Sequence, residues 1–239
     1  MNVNNLVIEI TRRCNAQCEH CLRGDAQNVD INNKVIDAML EGVNFISHVA
    51  FTGGEPSLAV PKIKYFLKVI KERNIGLGSF YVVTNDKVKS LKLALALIEL
   101  YDYCDNNDEM TGLCISKDQF HEYEIDSVSE ADKLYRSLSF YRPDERSGQL
   151  RPDFIISEGR ALINGLGNRT KDIEEIYFEL NEDEDTIDYI DNTVYVNALG
   201  DIIPGCDFSF ETQEKIKIGN VLNNTIEEIF LNAREKVAP

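Results

Sequence analysis

The chain has 239 residues, of which 43% are hydrophobic and 28% charged, a balance that indicates a globular protein with one substantial core and excludes a fibrous or disordered class. Its 41 acidic residues outnumber its 25 basic ones, and the net charge of −16 disfavours tight binding to the phosphate backbone of a nucleic acid. No apolar run reaches the roughly 18–20 residues of a membrane helix, and the first residues lack a secretory pattern, so we expect a cytoplasmic protein without a membrane partner.

Apolar runs predict strands that alternate with helices over the first two thirds of the chain. The predicted strands are Leu6–Ile10, His48–Thr52, Phe80–Thr84, Leu113–Ser116 and Phe154–Ile156. Between them, apolar residues recur at i, i+3, i+4 and i+7 from Ile36 to Val43, from Ile63 to Ile70 and from Leu91 to Ile98, which is the helical period. This alternation predicts an α/β fold whose parallel sheet is covered by helices, and its short repeated units favour a complete or partial (β/α) barrel.

The pattern weakens after about Ile163. An acidic run at residues 181–191 predicts a solvated loop, and Val194–Ile203 predicts a hairpin. Thr225 and Glu228 have the spacing of a capping box that opens a last helix. We therefore divide the chain into a barrel at residues 1–184 and a small C-terminal extension at residues 185–239.

Polar residues follow each predicted strand, where the ligands of parallel α/β folds bind. The first such segment carries three thiols, Cys14, Cys18 and Cys21, which could hold one corner of an iron–sulfur cubane and leave one metal without a protein ligand. An open coordination position is typical of a catalytic metal site. The alternative is a zinc site completed by His20 or a remote cysteine, although adjacent His20 and Cys21 fit poorly around one tetrahedral ion.

The second segment is Gly53-Gly54-Glu55-Pro56. Two residues without a Cβ let the backbone approach a ligand closely, and Glu55 offers oxygen acceptors for an ammonium group. Taken alone, the same four residues would also form an ordinary turn from a strand into a helix.

The order Cys14-x-x-x-Cys18-x-x-Cys21 and then Gly53-Gly54-Glu55-Pro56, each after a strand, resembles the radical S-adenosylmethionine superfamily. The pattern over roughly residues 5–165 is similar to the partial (β/α)6 barrel of that family. The resemblance implies a [4Fe–4S] cluster held by Cys14, Cys18 and Cys21, with S-adenosylmethionine on the fourth iron. It further implies that a one-electron reductant such as flavodoxin or ferredoxin drives cleavage of that cofactor to methionine and a 5′-deoxyadenosyl radical.

By the same resemblance, further residues around the loop bind S-adenosylmethionine. A Gly-Gly-Glu segment would hold the methionyl ammonium, a histidine would lie beside adenine, two residues after strand 4 would bind the ribose, and an arginine would meet the carboxylate. The ammonium would be held by Gly53, Gly54 and Glu55, and the adenine would lie beside His20. The ribose would be bound by Ser116 and Asp118, and the carboxylate would meet Arg160. His121, which also follows strand 4, is a candidate for the substrate pocket.

The C-terminal extension, with Asn197–Cys206 and the helix from Thr225, resembles the hairpin and helix of SPASM or Twitch extensions. These are common in radical enzymes that modify peptides and proteins, and they normally bind an auxiliary cluster through several cysteines. Residues 185–239 contain only Cys206, so we expect a truncated extension without an auxiliary cluster. Cys206 is either a hydrogen-atom donor to a substrate radical, as cysteine is in radical peptide epimerases, or a small buried side chain.

The sequence thus predicts a radical S-adenosylmethionine enzyme that abstracts hydrogen from a peptide or protein-derived substrate. The motifs leave the reaction open between epimerisation, cross-linking and carbon–sulfur bond formation, and the expected lack of an auxiliary cluster adds some weight to redox-neutral chemistry such as epimerisation. One alternative is a radical enzyme that acts on a small metabolite or nucleoside, or that activates a glycyl-radical enzyme. Another is a noncatalytic metal-binding interaction protein whose cysteine loop is structural.

Overall fold

The protein is described by a computed structural model at residues 1–105, 110–121, 128–143, 145–175, 177–181 and 186–237. The strands are β1 (Asn2–Thr11), β2 (Phe45–Gly53), β3 (Gly76–Thr84), β4 (Gly112–Ile115), β5 (Lys117–Asp118), β6 (Ser147–Gly148), β7 (Phe178–Asn181), β8 (Thr186–Val196), β9 (Asp201–Pro204) and β10 (Gly219–Asn220). The helices are α1 (Asn33–Met39), α2 (Val60–Glu72), α3 (Leu91–Tyr101), α4 (Glu130–Tyr135), α5 (Gly159–Ile163), α6 (Phe210–Ile216) and α7 (Ile226–Val237).

One sheet organises the molecule, with the strand order β10-β9-β8-β1-β2-β3-β4 and β7 paired to β8. Neighbours from β8 through β1, β2 and β3 to β4 run parallel, whereas β9 is antiparallel to β8. Helices α1, α2 and α3 connect the first four strands, so the α/β class with a parallel sheet is confirmed. Among the described helices, none combines the length and the apolar composition needed to cross a bilayer.

The connecting helices form where the 3.6-residue period predicts them. In α2 the residues Ile63, Phe66 and Ile70 are buried against the sheet, and Pro61 lies in the first turn, where its missing N–H removes no helical hydrogen bond. The Ser90 side chain caps α3 by accepting a hydrogen bond from the Leu93 N–H. Because these helices connect parallel strands, the carboxyl ends of β1 to β4 lie together at one edge of the sheet.

Four of the five predicted strands coincide with β1 to β4, the fourth running one residue past the end of β4, but the prediction of a strand at Phe154–Ile156 is wrong. Pro152–Phe154 forms a 3-10 turn, and Ile156 makes an isolated bridge to Arg169. The cause is Pro152, whose fixed φ suits the start of a turn and whose nitrogen has no hydrogen to donate to a neighbouring strand.

The C-terminal segment forms the predicted hairpin and helix. Strands β8 and β9 are antiparallel, and α7 opens with a capping box in which the Thr225 N–H donates to Glu228 and the Glu228 N–H donates to the Thr225 hydroxyl. Strand β8 also lies parallel to β1 in the main sheet, with Leu6 opposite Val194. The acidic run predicted as a loop instead contributes residues 186–191 to β8, while residues 182–185 lie outside the described part of the chain.

Candidate functional site

A cavity of about 440 Å³ opens at the carboxyl ends of β1, β2 and β3, the edge where a parallel α/β sheet places its ligands. Its walls include the cysteine loop after β1, the glycine segment after β2, the end of β3 and the turn after β9. Its lining includes most of the predicted site residues, namely Cys14, Cys18, His20, Cys21, Gly53, Gly54, Glu55, Ser116 and Cys206. Asp118 and Arg160 are not part of this lining.

The three loop cysteines are half-buried around the cavity, and burial raises the pKa of the Cys14 thiol. Three thiolates on one zinc ion would lie about 3.8 Å apart, given a Zn–S distance of about 2.3 Å. Among the described residues, the group whose ligand atoms all lie within 4.8 Å is His20, Asp118 and His121, and the three cysteines are not such a group.

The glycine pair fixes the position of this loop through backbone packing. The Gly54 N–H donates to the Thr11 carbonyl at 2.7 Å, and the Glu55 N–H donates to the Arg13 carbonyl at 2.8 Å. A Cβ on Gly53, which has φ +128°, would lie 2.0 Å from the Thr11 oxygen, and one on Gly54 would lie 2.0 Å from the Arg13 oxygen. The absence of side chains here lets the end of β2 contact the segment that leads into Cys14.

Glu55 is almost fully buried and accepts three hydrogen bonds. Its Oε1 accepts from the Ser57 N–H at 2.9 Å and from the Thr84 hydroxyl at 2.6 Å, and its Oε2 accepts from the Asn85 N–H at 2.7 Å. The carboxylate therefore ties the glycine segment to the end of β3. One further acceptor position is left for a ligand, because two carboxylate oxygens offer about four lone-pair sites.

A second buried carboxylate, Glu9 in β1, joins the start of the cysteine loop to the C-terminal segment. Its Oε1 accepts from Arg12 Nε at 2.6 Å and from the Ala198 N–H at 3.1 Å, while its Oε2 accepts from the Tyr195 hydroxyl at 2.9 Å and from Gln213 Nε2 at 3.1 Å. All acceptor sites of this anion are thus filled, as burial of a charge requires. The network holds the entry to the loop rigidly against β8 and α6.

His20, Asp118 and His121 form a polar cluster beside Cys18. His121 Nδ1 lies 2.8 Å from Asp118 Oδ1, His20 Nε2 lies 3.8 Å from Asp118 Oδ2, and the His20 ring stacks on Phe120 at 4.4 Å. Burial alone would lower the pKa of His121, but the hydrogen bonds with Asp118 and Cys18 raise that pKa to about 9. Asp118 therefore lies behind the cavity wall, where it orients the two histidines.

Arg160 also lies behind the wall, at the start of α5. Its backbone N–H donates to the Cys21 carbonyl at 2.9 Å, its Nε donates to the Cys18 carbonyl at 3.0 Å, and its Nη1 pairs with Asp25 at 3.3 Å. In this arrangement the guanidinium supports the backbone of the cysteine loop.

Cys206, on the turn after β9, lines the cavity, and the charges of Asp207 and Arg23 act on its thiol. Burial raises the pKa of the Cys206 thiol to about 12, so the sulfur keeps its hydrogen at neutral pH. Tyr81 and Arg146 line the same cavity, and Arg146 Nε lies 3.3 Å from the Tyr81 hydroxyl.

Sequence reasoning missed two residues of this site, Glu9 and Asn85. Glu9 is a single acid inside the apolar run Leu6–Ile10, which is itself a signal of a buried partner. Asn85 follows β3 at the expected edge, but its role becomes visible only through its contact with Cys14, described below. A spacing pattern could not have identified either partner.

A family model described as a 4Fe-4S single cluster domain matches residues 7–109. A curated protein named GTP 3',8-cyclase, from Chlorobaculum tepidum, is 28% identical over 138 residues, which cover 55% of this chain and 38% of that protein. The chain therefore spans well under half the length of this relative.

Three solved structures are similar over nearly the whole chain. "Native anSMEcpe with bound AdoMet and Cp18Cys peptide" is 13% identical with a TM-score of 0.46, covering 96% of this chain and 80% of that one. Streptococcus suis SuiB bound to precursor peptide SuiA is 12% identical with a TM-score of 0.47, covering 95% and 64%. SuiB bound to S-adenosylmethionine is 14% identical with a TM-score of 0.47, covering 95% and 65%.

Proposed function

We infer that this chain, which belongs to the radical S-adenosylmethionine superfamily, reductively cleaves S-adenosylmethionine and removes a hydrogen atom from a peptide or protein-derived substrate. It is an enzyme whose cofactors are a [4Fe–4S] cluster and S-adenosylmethionine. The observation that carries the proposal is one cavity lined by three cysteine thiols, a Gly-Gly-Glu segment and a fourth, protonated thiol.

In this proposal Cys14, Cys18 and Cys21 hold the cluster, and Gly53, Gly54 and Glu55 receive the methionyl end of S-adenosylmethionine. The donor set fits both groups, since three thiolates leave one iron open and Glu55, which lines the cavity, has an acceptor position left for an ammonium group. When bound, the two cofactors supply the one-electron chemistry that takes hydrogen from the substrate. His20 and Ser116, which line the cavity, contact the nucleoside part, and Asp118 and Arg160 act from behind the wall.

Cys206 is our candidate hydrogen-atom donor. Its pKa of about 12 leaves the Sγ–H bond intact, which donation of a hydrogen atom requires. Transfer to a substrate carbon radical breaks the S–H bond, forms a C–H bond and leaves a thiyl radical. One electron from a flavodoxin- or ferredoxin-type reductant, together with one proton, then restores the thiol. The net change at the substrate is redox-neutral, which favours epimerisation.

The peptide substrate is supported by the C-terminal hairpin and helix, which resemble the SPASM or Twitch extensions of peptide-modifying enzymes. A nucleotide or another small molecule is the second candidate, and the observation that favours it is the similarity to a GTP 3',8-cyclase. Parallel assays with GTP and with candidate peptides distinguish the two. GTP-dependent consumption of S-adenosylmethionine without any response to peptides would overturn the peptide proposal.

The central test replaces Cys18 with Ala and measures iron, sulfide and 5′-deoxyadenosine after anaerobic reconstitution. We expect the variant to lose the cluster and cofactor cleavage while it stays folded, because only a ligand side chain is removed. Cys206→Ala is the matched control, and it should keep about four irons per chain, as one cubane implies, together with cofactor cleavage. Full cleavage by the Cys18 variant would contradict the ligand assignment.

A further inference from the structure

Asn85, which no part of the proposed function uses, makes a direct polar contact with one of the proposed cluster ligands. Its Nδ2 lies 3.7 Å from Cys14 Sγ, within reach of an N–H···S hydrogen bond, and 2.8 Å from Asn15 Oδ1. The side chain is buried, with 7% of its surface exposed. A fixed amide donor therefore lies against a sulfur at the edge of the cavity.

The contacts of Asn85 determine which way its amide points. Its Oδ1 accepts a hydrogen bond from the Lys87 N–H at 3.1 Å, which places the NH₂ group on the side of Asn15 and Cys14. Its backbone N–H donates to Glu55 Oε2 at 2.7 Å. Since Glu55 also accepts from the Thr84 hydroxyl, the end of β3 is tied to the glycine segment and cannot carry Asn85 away from the sulfur.

We propose that Asn85 is a positioning residue that raises the reduction potential of the cluster through an N–H···S hydrogen bond to Cys14. The reduced cluster carries one more negative charge than the oxidised one, so a donor aimed at a ligand sulfur stabilises the reduced form more strongly. This inference rests on the proposed function, because it assumes that Cys14 is a cluster ligand. In this role, Asn85 makes the cluster easier to reduce.

The test measures the cluster potential by an anaerobic redox titration of the reconstituted holoenzyme, followed by the electron paramagnetic resonance signal of the reduced cluster. Asn85→Ala removes the donor without adding charge. At a fixed solution potential, the ratio of reduced to oxidised cluster should fall at least tenfold, which corresponds to a cluster potential lower by about 59 mV for a one-electron couple. Asn85→Asp keeps the size and the acceptor for Lys87 but replaces the donor with an anion, so its potential should be lower still.

Asn223→Asp is the control for charge, because Asn223 is exposed and the substitution adds the same negative charge away from the cavity. Its potential should equal that of the wild type. The signal reports loaded cluster only, so the measurement holds even where a variant takes up less iron. Equal potentials in wild type and Asn85→Ala would overturn the inference, whereas a wild-type protein that forms no cubane would instead overturn the proposed function.

Discussion

Replacing Gly54 with Ala tests whether the glycine pair positions the cysteine loop. The new Cβ would lie 2.0 Å from the Arg13 oxygen and 2.6 Å from its carbonyl carbon, so the backbones must separate by more than about 1 Å to reach van der Waals contact. This movement breaks the hydrogen bonds from Gly54 to Thr11 and from Glu55 to Arg13. Each contributes about 0.5–1.5 kcal/mol, so we expect a loss of about 1–3 kcal/mol in the free energy of unfolding.

The positional effect should exceed the loss of stability. A displacement of about 1 Å next to Cys14 is enough to spoil a preorganised ligand set, so we expect Gly54→Ala to hold far less iron after reconstitution than the wild type. Gly42→Ala is the matched control, because Gly42 has φ +72° and nothing within 4 Å, and its strain costs about 1–2 kcal/mol far from the loop. Iron content and urea denaturation are measured on both variants. Normal iron in Gly54→Ala would refute the reasoning.

Two further predictions concern buried ionisable groups. Glu9→Gln leaves the Arg12 guanidinium without its buried anion, so we expect the free energy of unfolding, measured by urea denaturation, to fall by about 3–5 kcal/mol. The exposed control Glu211→Gln should keep the urea midpoint of the wild type. A Glu9→Gln midpoint equal to that of the wild type would contradict the role of the Glu9 network. Burial raises the pKa of Cys104 and Cys206 to about 12 in the folded protein. In the unfolded chain these thiols ionise at a lower pH, about 8.5, so ionisation favours the unfolded state above that pH. We therefore expect the free energy of unfolding of the apo protein to be unaffected by these thiols below about pH 8.5 and to fall as the pH rises toward 12. Stability that stays flat over this range would argue against protonated thiols.

Local patterns were sufficient for the first half of the fold. Strands β1 to β4 and helices α1 to α3 were predictable because each has a clear apolar period and is bounded by residues such as Ser90 that cap helices. The failed strand at Phe154–Ile156 shows the limit of the method, since a short apolar run next to a proline fits a turn equally well. Pairing of that run depends on whether a partner strand lies beside it, which the local sequence does not record.

The candidate site also contains some residues that local patterns identify and others that meet only in the folded protein. The cysteine loop and the glycine pair could be found by spacing, because the chemistry of a thiolate set and the need for residues without a Cβ both leave a sequence signature. The buried network of Glu9 could not, since its partners Tyr195 and Gln213 are far away in the chain and meet it only through the sheet. The resemblance implies a contact of Arg160 with the cofactor, whereas its hydrogen bond to the Cys18 carbonyl joins residues far apart in the chain and leaves no local sequence signature.

The place of β8 beside β1 affects how the protein is made. Ile8 pairs with Val196, so the strand that leads into the cysteine loop gains its second neighbour only after residue 196 has left the ribosome. Until then, one edge of β1 presents unpaired amide and carbonyl groups to other nascent chains. We therefore expect the cysteine loop to take its final position only once the segment around Val196 has joined the sheet beside β1.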